Sequence, residues 1–149
     1  MLNFTPGSYM VNTIIFSVFT ALLATLAHAD PTRGVTDTEV VFGSHTPLTG
    51  PAALWGVGSI NAIRLRFDEI NRAGGIHGRQ IRFIVEDNQY QVPRAIQAAN
   101  KLLNRDKIFA MVAALGTPMN NAVMPQQLAK NVPSIFPYSG SRSMGQPPH

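Results

Sequence analysis

The sequence contains no cysteine and little charge, and both shortages narrow what the protein can be. Without cysteine the chain can form neither a disulfide framework nor a thiolate zinc site. Its histidines stand at positions 28, 45, 77 and 149, at no spacing typical of metal ligands, so no metal centre is expected. Only 13% of the residues are charged, and the basic residues behind the formal net charge of +4 are scattered along the chain. No nucleic acid partner is therefore expected.

The first 29 residues differ in character from the rest of the chain. Residues 14–26 read IIFSVFTALLATL, an uncharged apolar run followed by Ala-His-Ala at 27–29. The run is shorter than the about 20 apolar residues of a transmembrane helix, and the small residues fit the A-x-A rule for signal-peptide cleavage. We therefore predict a secretory signal peptide over residues 1–29 and a periplasmic mature chain that begins at Asp30. Because no Lys or Arg precedes the run, an uncleaved anchor and a start at Met10 are the alternatives.

Beyond Asp30 the spacing of the apolar residues alternates between about 2 and about 3.6, which predicts alternating strands and helices. Strands are predicted over residues 40–42, with Gly43 as the end, and over 81–85, 108–115 and 132–136. Helices are predicted over residues 60–70, stopping at Gly74, over 93–105, and more weakly over 119–131 because of Pro125. Since crossovers between parallel strands are right-handed, this order predicts an α/β fold with an open, doubly wound parallel sheet in residues 30–149.

In such a sheet, ligands bind beyond the carboxyl ends of the strands, where helix N-termini offer N–H groups to anions. The loops after the third and fourth strands, residues 116–120 and 138–143, are rich in glycine and small hydroxyl residues, which suit a carboxylate. The GVG stretch at 56–58 lies well past the first strand and lacks the third glycine of a dinucleotide motif. No phosphate-binding loop or nucleophile elbow occurs, and the carboxylates at 86–87 are expected to form capping or structural hydrogen bonds.

Five stretches, in this order and spacing, carry a resemblance to a known family: PLTGPAALWG, DEINRAGGIHGRQI, VEDNQY, AALGTPMNNAV and VPSIFPYSGSR. From about Thr38 to Arg142 the chain resembles the N-terminal lobe of type I periplasmic binding proteins of the leucine/isoleucine/valine-binding family, which serve ABC transporters. The resemblance implies a cleft between two lobes and a transporter permease as partner, with no cofactor and no enzymatic activity. It implies a branched-chain amino acid or another small carboxylate, such as an aromatic or other organic acid, as the ligand.

The family's pattern also implies which residues contact the ligand. They are Trp55, Thr117, Tyr138, Ser139, Gly140 and Ser141. Trp55 would lie over the ligand, Thr117 would supply a hydroxyl group, and the stretch after the fourth strand would complete a clamp for the carboxylate. The alternatives are that Trp55 is a packing residue and that Thr117 caps the following helix.

Family members are more than twice as long as this chain of 149 residues, so the resemblance implies a truncated chain or a fragment without the second lobe. Two other classes compete with a solute receptor. A nucleotide- or NAD-using enzyme would need a glycine triad directly after the first strand and an acidic residue about 20 positions on, and the two are not found together. A ligand-sensing regulatory module would use the same lobe, and a cleaved signal segment would argue against it.

Overall fold

Residues 32–144 are described by the computed structural model; the predicted signal peptide lies outside them. The elements follow one another as β1 (Glu39–Thr46), α1 (Ala53–Arg72), β2 (Gln80–Asp87), α2 (Val92–Asn100), a π-helical turn (Lys101–Arg105), β3 (Ala110–Val112), α3 (Thr117–Leu128), β4 (Ser134–Ile135) and a 3-10 turn (Arg142–Met144). None of the helices in this part of the chain has both the length and the apolar character that a membrane span requires.

The four strands form one parallel sheet in the order β2-β1-β3-β4. β1 and β2 pair over their whole length, from Glu39 opposite Gln80 to Thr46 opposite Asp87. The chain moves outward from β1 to β2 and then crosses back over β1 to reach β3, so the topology reverses between β1 and β3. Since parallel crossovers are right-handed, the reversal places α1 on one face and α2 and α3 on the other. The predicted open, doubly wound α/β fold is confirmed.

The two faces of the sheet have different cores. Val41 joins the larger core, which α2, the π-helical turn and α3 supply with buried residues such as Leu102, Met119 and Val123. On the opposite face, Phe42 packs against Phe67 of α1, with 5.6 Å between the ring centroids. Because successive side chains of a strand point to opposite faces, adjacent residues of β1 serve both cores.

All four predicted strand ends were wrong: β2 continues to Asp87, beyond the predicted end at residue 85, and the other three ends have local reasons. Gly43 does not end β1 but lies inside it. A Cβ at this position would come 2.8 Å from the side chain of Ile108, so close packing accounts for the glycine. β3 stops at Val112 because Ala113 has a φ of 51°, outside the strand region. β4 stops at Ile135 because Phe136 has a φ of 50°. The extended stretches predicted for β3 and β4 are therefore interrupted by left-handed backbone at Ala113 and Phe136.

The helix boundaries also differ from those predicted. α1 begins at Ala53, well before residue 60, so the GVG stretch at 56–58 lies inside a helix and forms no phosphate loop. Gly56 is required by packing, since a Cβ there would lie 2.0 Å from the carbonyl oxygen of Pro47. α3 begins at Thr117 and continues past Pro125, which lies inside the helix.

Candidate functional site

A cleft of about 600 Å³ opens where β1, β3 and β4 end, at the reversal of the sheet topology. Four loops meet there, because the strands are parallel and their carboxyl ends share one edge of the sheet. The lining residues are Pro51, Ala52, Trp55, Tyr90, Leu115, Gly116, Thr117, Tyr138, Ser139 and Gly140. Within the described chain this lining includes no carboxylate, ammonium, guanidinium or imidazole group, so its polar character comes from hydroxyl and main-chain groups.

Two hydroxyl groups meet on the floor of the cleft. The Oγ1 of Thr117 lies 2.7 Å from the Oγ of Ser139, which also accepts the main-chain N–H of Ser141 at 3.1 Å. Thr117 is the first residue of α3, and Gly116, with a φ of 111°, occupies the N-cap position. No side-chain cap is formed there, so the capping role considered for Thr117 is wrong. Its hydroxyl group faces Ser139 instead.

Aromatic side chains supply much of the cleft wall. Trp55 is 64% exposed, Tyr138 is 47% exposed and Tyr90 is 44% exposed. A side chain buried in a core would show far less surface, so the alternative of Trp55 as a packing residue is not what the structure shows. Exposed aromatic rings beside a polar floor are common in small-molecule sites, where they contribute apolar contact area.

The first and second loops are held together by Asp87. Its carboxylate accepts the main-chain N–H groups of Leu48 at 2.9 Å, Thr49 at 3.4 Å and Gln89 at 2.9 Å. The hydroxyl of Thr49 adds a contact of 2.6 Å. Burial alone would raise the pKa of Asp87, but these hydrogen bonds, led by that of the Thr49 hydroxyl, hold the pKa below its ordinary value. Asp87 therefore has the structural role predicted for it.

A buried polar layer lies directly beneath the cleft. His45 and Asn88 are fully buried, and the Nδ2 of Asn88 is 3.1 Å from the Nδ1 of His45. Asn88 also donates to the carbonyl oxygen of Leu115 at 3.3 Å, and its Oδ1 accepts the N–H of Tyr90 at 2.8 Å. Burial lowers the pKa of His45 to about 4, so its imidazole is neutral at pH 7.

The structure brings most of the predicted site residues to one place. Trp55, Thr117, Tyr138, Ser139 and Gly140 all line the cleft. Ser141 does not: its hydroxyl group contacts Ser143 at 2.7 Å, and only its main-chain N–H reaches the site, through Ser139.

Tyr90 is the aromatic lining residue that sequence reasoning missed. It lies in the loop after β2, which contains little glycine or hydroxyl and was therefore passed over. Both Gln89 and Tyr90 have left-handed backbone, with φ values of 49° and 57°. An aromatic residue in a strand-end loop was the signal that could have identified Tyr90.

An open cleft at the carboxyl ends of a doubly wound parallel sheet, with hydroxyl groups and aromatic rings converging on it, defines a ligand-binding α/β lobe. A family model described as periplasmic binding protein matches residues 39–149. The chain belongs to this family.

Named relatives agree with this membership. Over 80 residues the chain is 36% identical to the Leu/Ile/Val-binding protein BraC3 of Rhizobium johnstonii, a match that covers 54% of this chain and 19% of that protein. The chain spans about a fifth of the length of the curated relatives it matches.

Solved structures share the fold. One is the branched-chain amino acid transporter substrate-binding protein LivJ from Streptococcus pneumoniae in complex with isoleucine, with a TM-score of 0.62 and 27% identity over 65% of this chain and 28% of that one. Another is a fatty acid ABC transporter substrate-binding protein from Thermomonospora curvata, with a TM-score of 0.65 and 31% identity over 70% of this chain and 27% of that one.

Proposed function

We propose that this chain forms one wall of the ligand cleft of an extracytoplasmic solute-binding protein that delivers a small carboxylate to an ABC transporter. The observation that carries the proposal is the hydroxyl pair of Thr117 and Ser139, 2.7 Å apart on the floor of an open cleft and at the N-terminus of α3. A carboxylate placed there would meet hydroxyl donors and the positive end of a helix dipole.

The hydroxyl pair leaves one hydrogen for a ligand. Each hydroxyl group has one hydrogen and two acceptor lone pairs, and the contact between Thr117 and Ser139 uses one of the two hydrogens. Ser139 already accepts the N–H of Ser141, which favours Ser139 as the donor toward Thr117. The hydroxyl hydrogen of Thr117 is then available to an anionic oxygen in the cleft. Ser141 acts indirectly in this scheme, by orienting Ser139.

The aromatic side chains suit the apolar part of such a ligand. Trp55, Tyr90 and Tyr138 are each at least 44% exposed, so a ligand that covers them removes apolar surface from water. Burial of apolar surface contributes about 25 cal/mol per Å². A carboxylate with a branched aliphatic or aromatic side chain matches both the floor and the walls, and the relatives named for leucine, isoleucine and valine fit this class.

Location and partners follow from the same proposal. Members of a periplasmic binding protein family act outside the cytoplasmic membrane, and a permease would receive the ligand from the closed protein. A second lobe would supply the partners for an ammonium group, since the cleft lining in the described chain includes no carboxylate. We assign no catalytic role to the lining residues, whose hydroxyl groups have no adjacent general base in the described structure.

A direct test joins the chain to the second lobe of a homologous binding protein and titrates the chimera with isoleucine, phenylalanine, benzoate and, as an uncharged control, isoleucinamide. Saturable heat with any of the three carboxylates and none with the amide supports the proposal. Equal heats for isoleucine and isoleucinamide would contradict the carboxylate role. The 149-residue chain, measured in parallel, reports the affinity of this wall alone.

A further inference from the structure

We infer that His45 and Asn88 form a positioning pair that sets the width of the cleft by holding Tyr90 against the Leu115–Gly116 floor. Neither side chain lines the cleft; both lie directly beneath it and are fully buried. The inference rests on the proposed function only in treating this cleft as a ligand site.

Asn88 joins three strand ends with one amide group. It follows β2 directly, its main-chain N–H donates to the carbonyl oxygen of Thr46 in β1 at 3.0 Å, and its Nδ2 donates to the carbonyl oxygen of Leu115 beyond β3. Its Oδ1 accepts the N–H of Tyr90, which fixes the left-handed turn on which the Tyr90 side chain stands. The amide therefore ties the wall at Tyr90 to the floor at Leu115.

The floor and the wall are in close contact. A Cβ at Gly116 would lie 3.1 Å from the Cε2 of Tyr90, so the tyrosine ring rests over the glycine. The N–H of Leu115 is bonded to the carbonyl of His45 at 3.2 Å, which fixes the floor to β1. A shift of Asn88 would therefore move the ring relative to the floor and change the space available to a ligand.

The hydrogen bonds define the state of His45. The Asn88 amide can take only one orientation, because the reverse would direct Oδ1 at the Leu115 carbonyl and Nδ2 at the Tyr90 N–H. Nδ2 therefore donates both of its hydrogens, one to Leu115 and one to the Nδ1 of His45. Since Nδ1 accepts, a neutral His45 carries its hydrogen on Nε2.

Fold stability does not account for the choice of histidine at position 45. Within the described residues the Nε2 of His45 has no hydrogen-bond partner although it is buried, and such a group destabilises the folded state. An apolar ring in place of His45 would remove that unpartnered nitrogen, whereas Asn88 is needed as the partner of the Leu115 carbonyl and the Tyr90 N–H. What the polar pair adds is a fixed geometry between three loops, which is the property that a preformed binding site needs.

The test compares Asn88→Asp with Asn71→Asp in the full 149-residue chain, labelled with ¹⁵N. Asn71 is a matched control: its side chain also joins two elements, through the N–H and the carbonyl of Ile81, but at the opposite end of β2 from the cleft. Three quantities are measured by NMR: the protonated nitrogen of His45, the nuclear Overhauser effect between the Tyr90 ring and the Hα atoms of Gly116, and the affinities for isoleucine and benzoate.

In the wild type we expect His45 with its hydrogen on Nε2 and a clear Tyr90–Gly116 signal. In Asn88→Asp the carboxylate can donate neither to the Nδ1 of His45 nor to the carbonyl oxygen of Leu115. His45 should therefore carry a proton on Nδ1, where it can donate to the new carboxylate. The Tyr90–Gly116 signal should disappear, because the link to the Leu115 carbonyl is lost. The affinity for whichever probe binds should weaken about tenfold, corresponding to about 1.4 kcal/mol. Asn71→Asp should keep the wild-type tautomer, signal and affinity.

Should Asn88→Asp not fold, His45→Phe removes the acceptor while keeping a ring, and the loss of the Tyr90–Gly116 signal is expected there as well. Persistence of that signal in a folded Asn88→Asp or His45→Phe variant would overturn the positioning role, as would equal loss of affinity in Asn71→Asp. Failure of both probes to bind the two-lobe chimera that carries the wild-type chain would count against the proposed ligand class, while the Tyr90–Gly116 signal of the 149-residue chain would still decide the positioning role.

Discussion

Removing the Thr117 hydroxyl group is the sharpest test of the proposed carboxylate site. In Thr117→Ala the contact of 2.7 Å with Ser139 is lost, together with the hydroxyl hydrogen assigned to the ligand. Hydrogen bonds to charged groups contribute about 1.5–3 kcal/mol. Each 1.4 kcal/mol is a factor of ten in affinity, so the variant should bind its carboxylate about ten- to a hundredfold more weakly.

The effect should fall on binding rather than on folding. Thr117 makes no side-chain cap to α3, and alanine is well tolerated in the first turn of a helix, so the midpoint of urea unfolding should change little. The measurement is calorimetric titration of the two-lobe chimera, with the ligand found for the parent chimera. Thr117→Ser keeps the hydroxyl group and should change the affinity by less than about 0.7 kcal/mol, or threefold.

Ser141→Ala is the matched control, because the Ser141 hydroxyl group contacts Ser143 and lies outside the cleft lining. Its main-chain N–H, which orients Ser139, is unchanged by the substitution. Unaltered affinity in Thr117→Ala would refute the hydroxyl scheme. A loss in Ser141→Ala as large as that in Thr117→Ala would instead show that Ser141 contacts the ligand directly.

Three further predictions concern packing, acid sensitivity and export. Gly56→Ala should lower the free energy of unfolding, measured by urea titration, by about 1–3 kcal/mol, because the new Cβ would lie 2.0 Å from the Pro47 carbonyl oxygen. Gly58→Ala has open space around its new Cβ and should instead raise the free energy of unfolding by about 0.5–1 kcal/mol. Because the pKa of His45 is about 4 in the folded chain and 6.5 ordinarily, the unfolded chain binds the extra proton, and stability should fall by up to about 3 kcal/mol as the pH drops from 6.5 to 4. A His45→Gln variant without that pH dependence would confirm the assignment, and a wild type with equal stability at both pH values would contradict it. Exported protein should begin at Asp30 in N-terminal sequencing, and recovery of an uncleaved species alone would exclude a cleaved signal peptide.

The sequence was a good guide to the order of elements and a poor guide to their ends. Apolar periodicity identified the strands and helices because each buries one face or one stripe against the sheet. It placed the end of β1 at Gly43, because a glycine in a strand pattern often marks a break. In the structure the side chain of Ile108, 65 positions further along the chain, packs so closely against Gly43 that it leaves no room for a larger residue. The left-handed residues Ala113 and Phe136 are neither glycine nor asparagine, so the sequence alone did not indicate that they would end strands.

The candidate site was predictable where it depends on the residue content of a single loop. A loop rich in glycine and hydroxyl groups after a parallel strand indicates anion binding, which identified the loops at 116–120 and 138–143; the family resemblance then implied Thr117 and Ser139 within them. That the two hydroxyl groups would lie 2.7 Å apart depends on the pairing of β3 with β4, which periodicity does not specify. Tyr90 was missed because its loop contains little glycine or hydroxyl, and the close approach of its ring to Gly116 joins residues that are far apart in the chain.

The hydrogen bonds in this lobe order the polar side chains of the candidate site before a ligand binds, which lowers the entropy cost of binding. The hydroxyl groups of Thr117 and Ser139 are hydrogen-bonded to each other, and the amide of Asn88 has partners for both of its hydrogens and for its oxygen. A carboxylate that arrives gains the remaining hydroxyl hydrogen without the ordering of mobile side chains, which typically costs about 0.5–1.5 kcal/mol for each side chain immobilised. The aromatic rings remain largely exposed until something covers them. Affinity should therefore depend on what closes over Trp55 and Tyr138, whereas the proposed selection for a carboxylate would come from the hydroxyl groups of this wall.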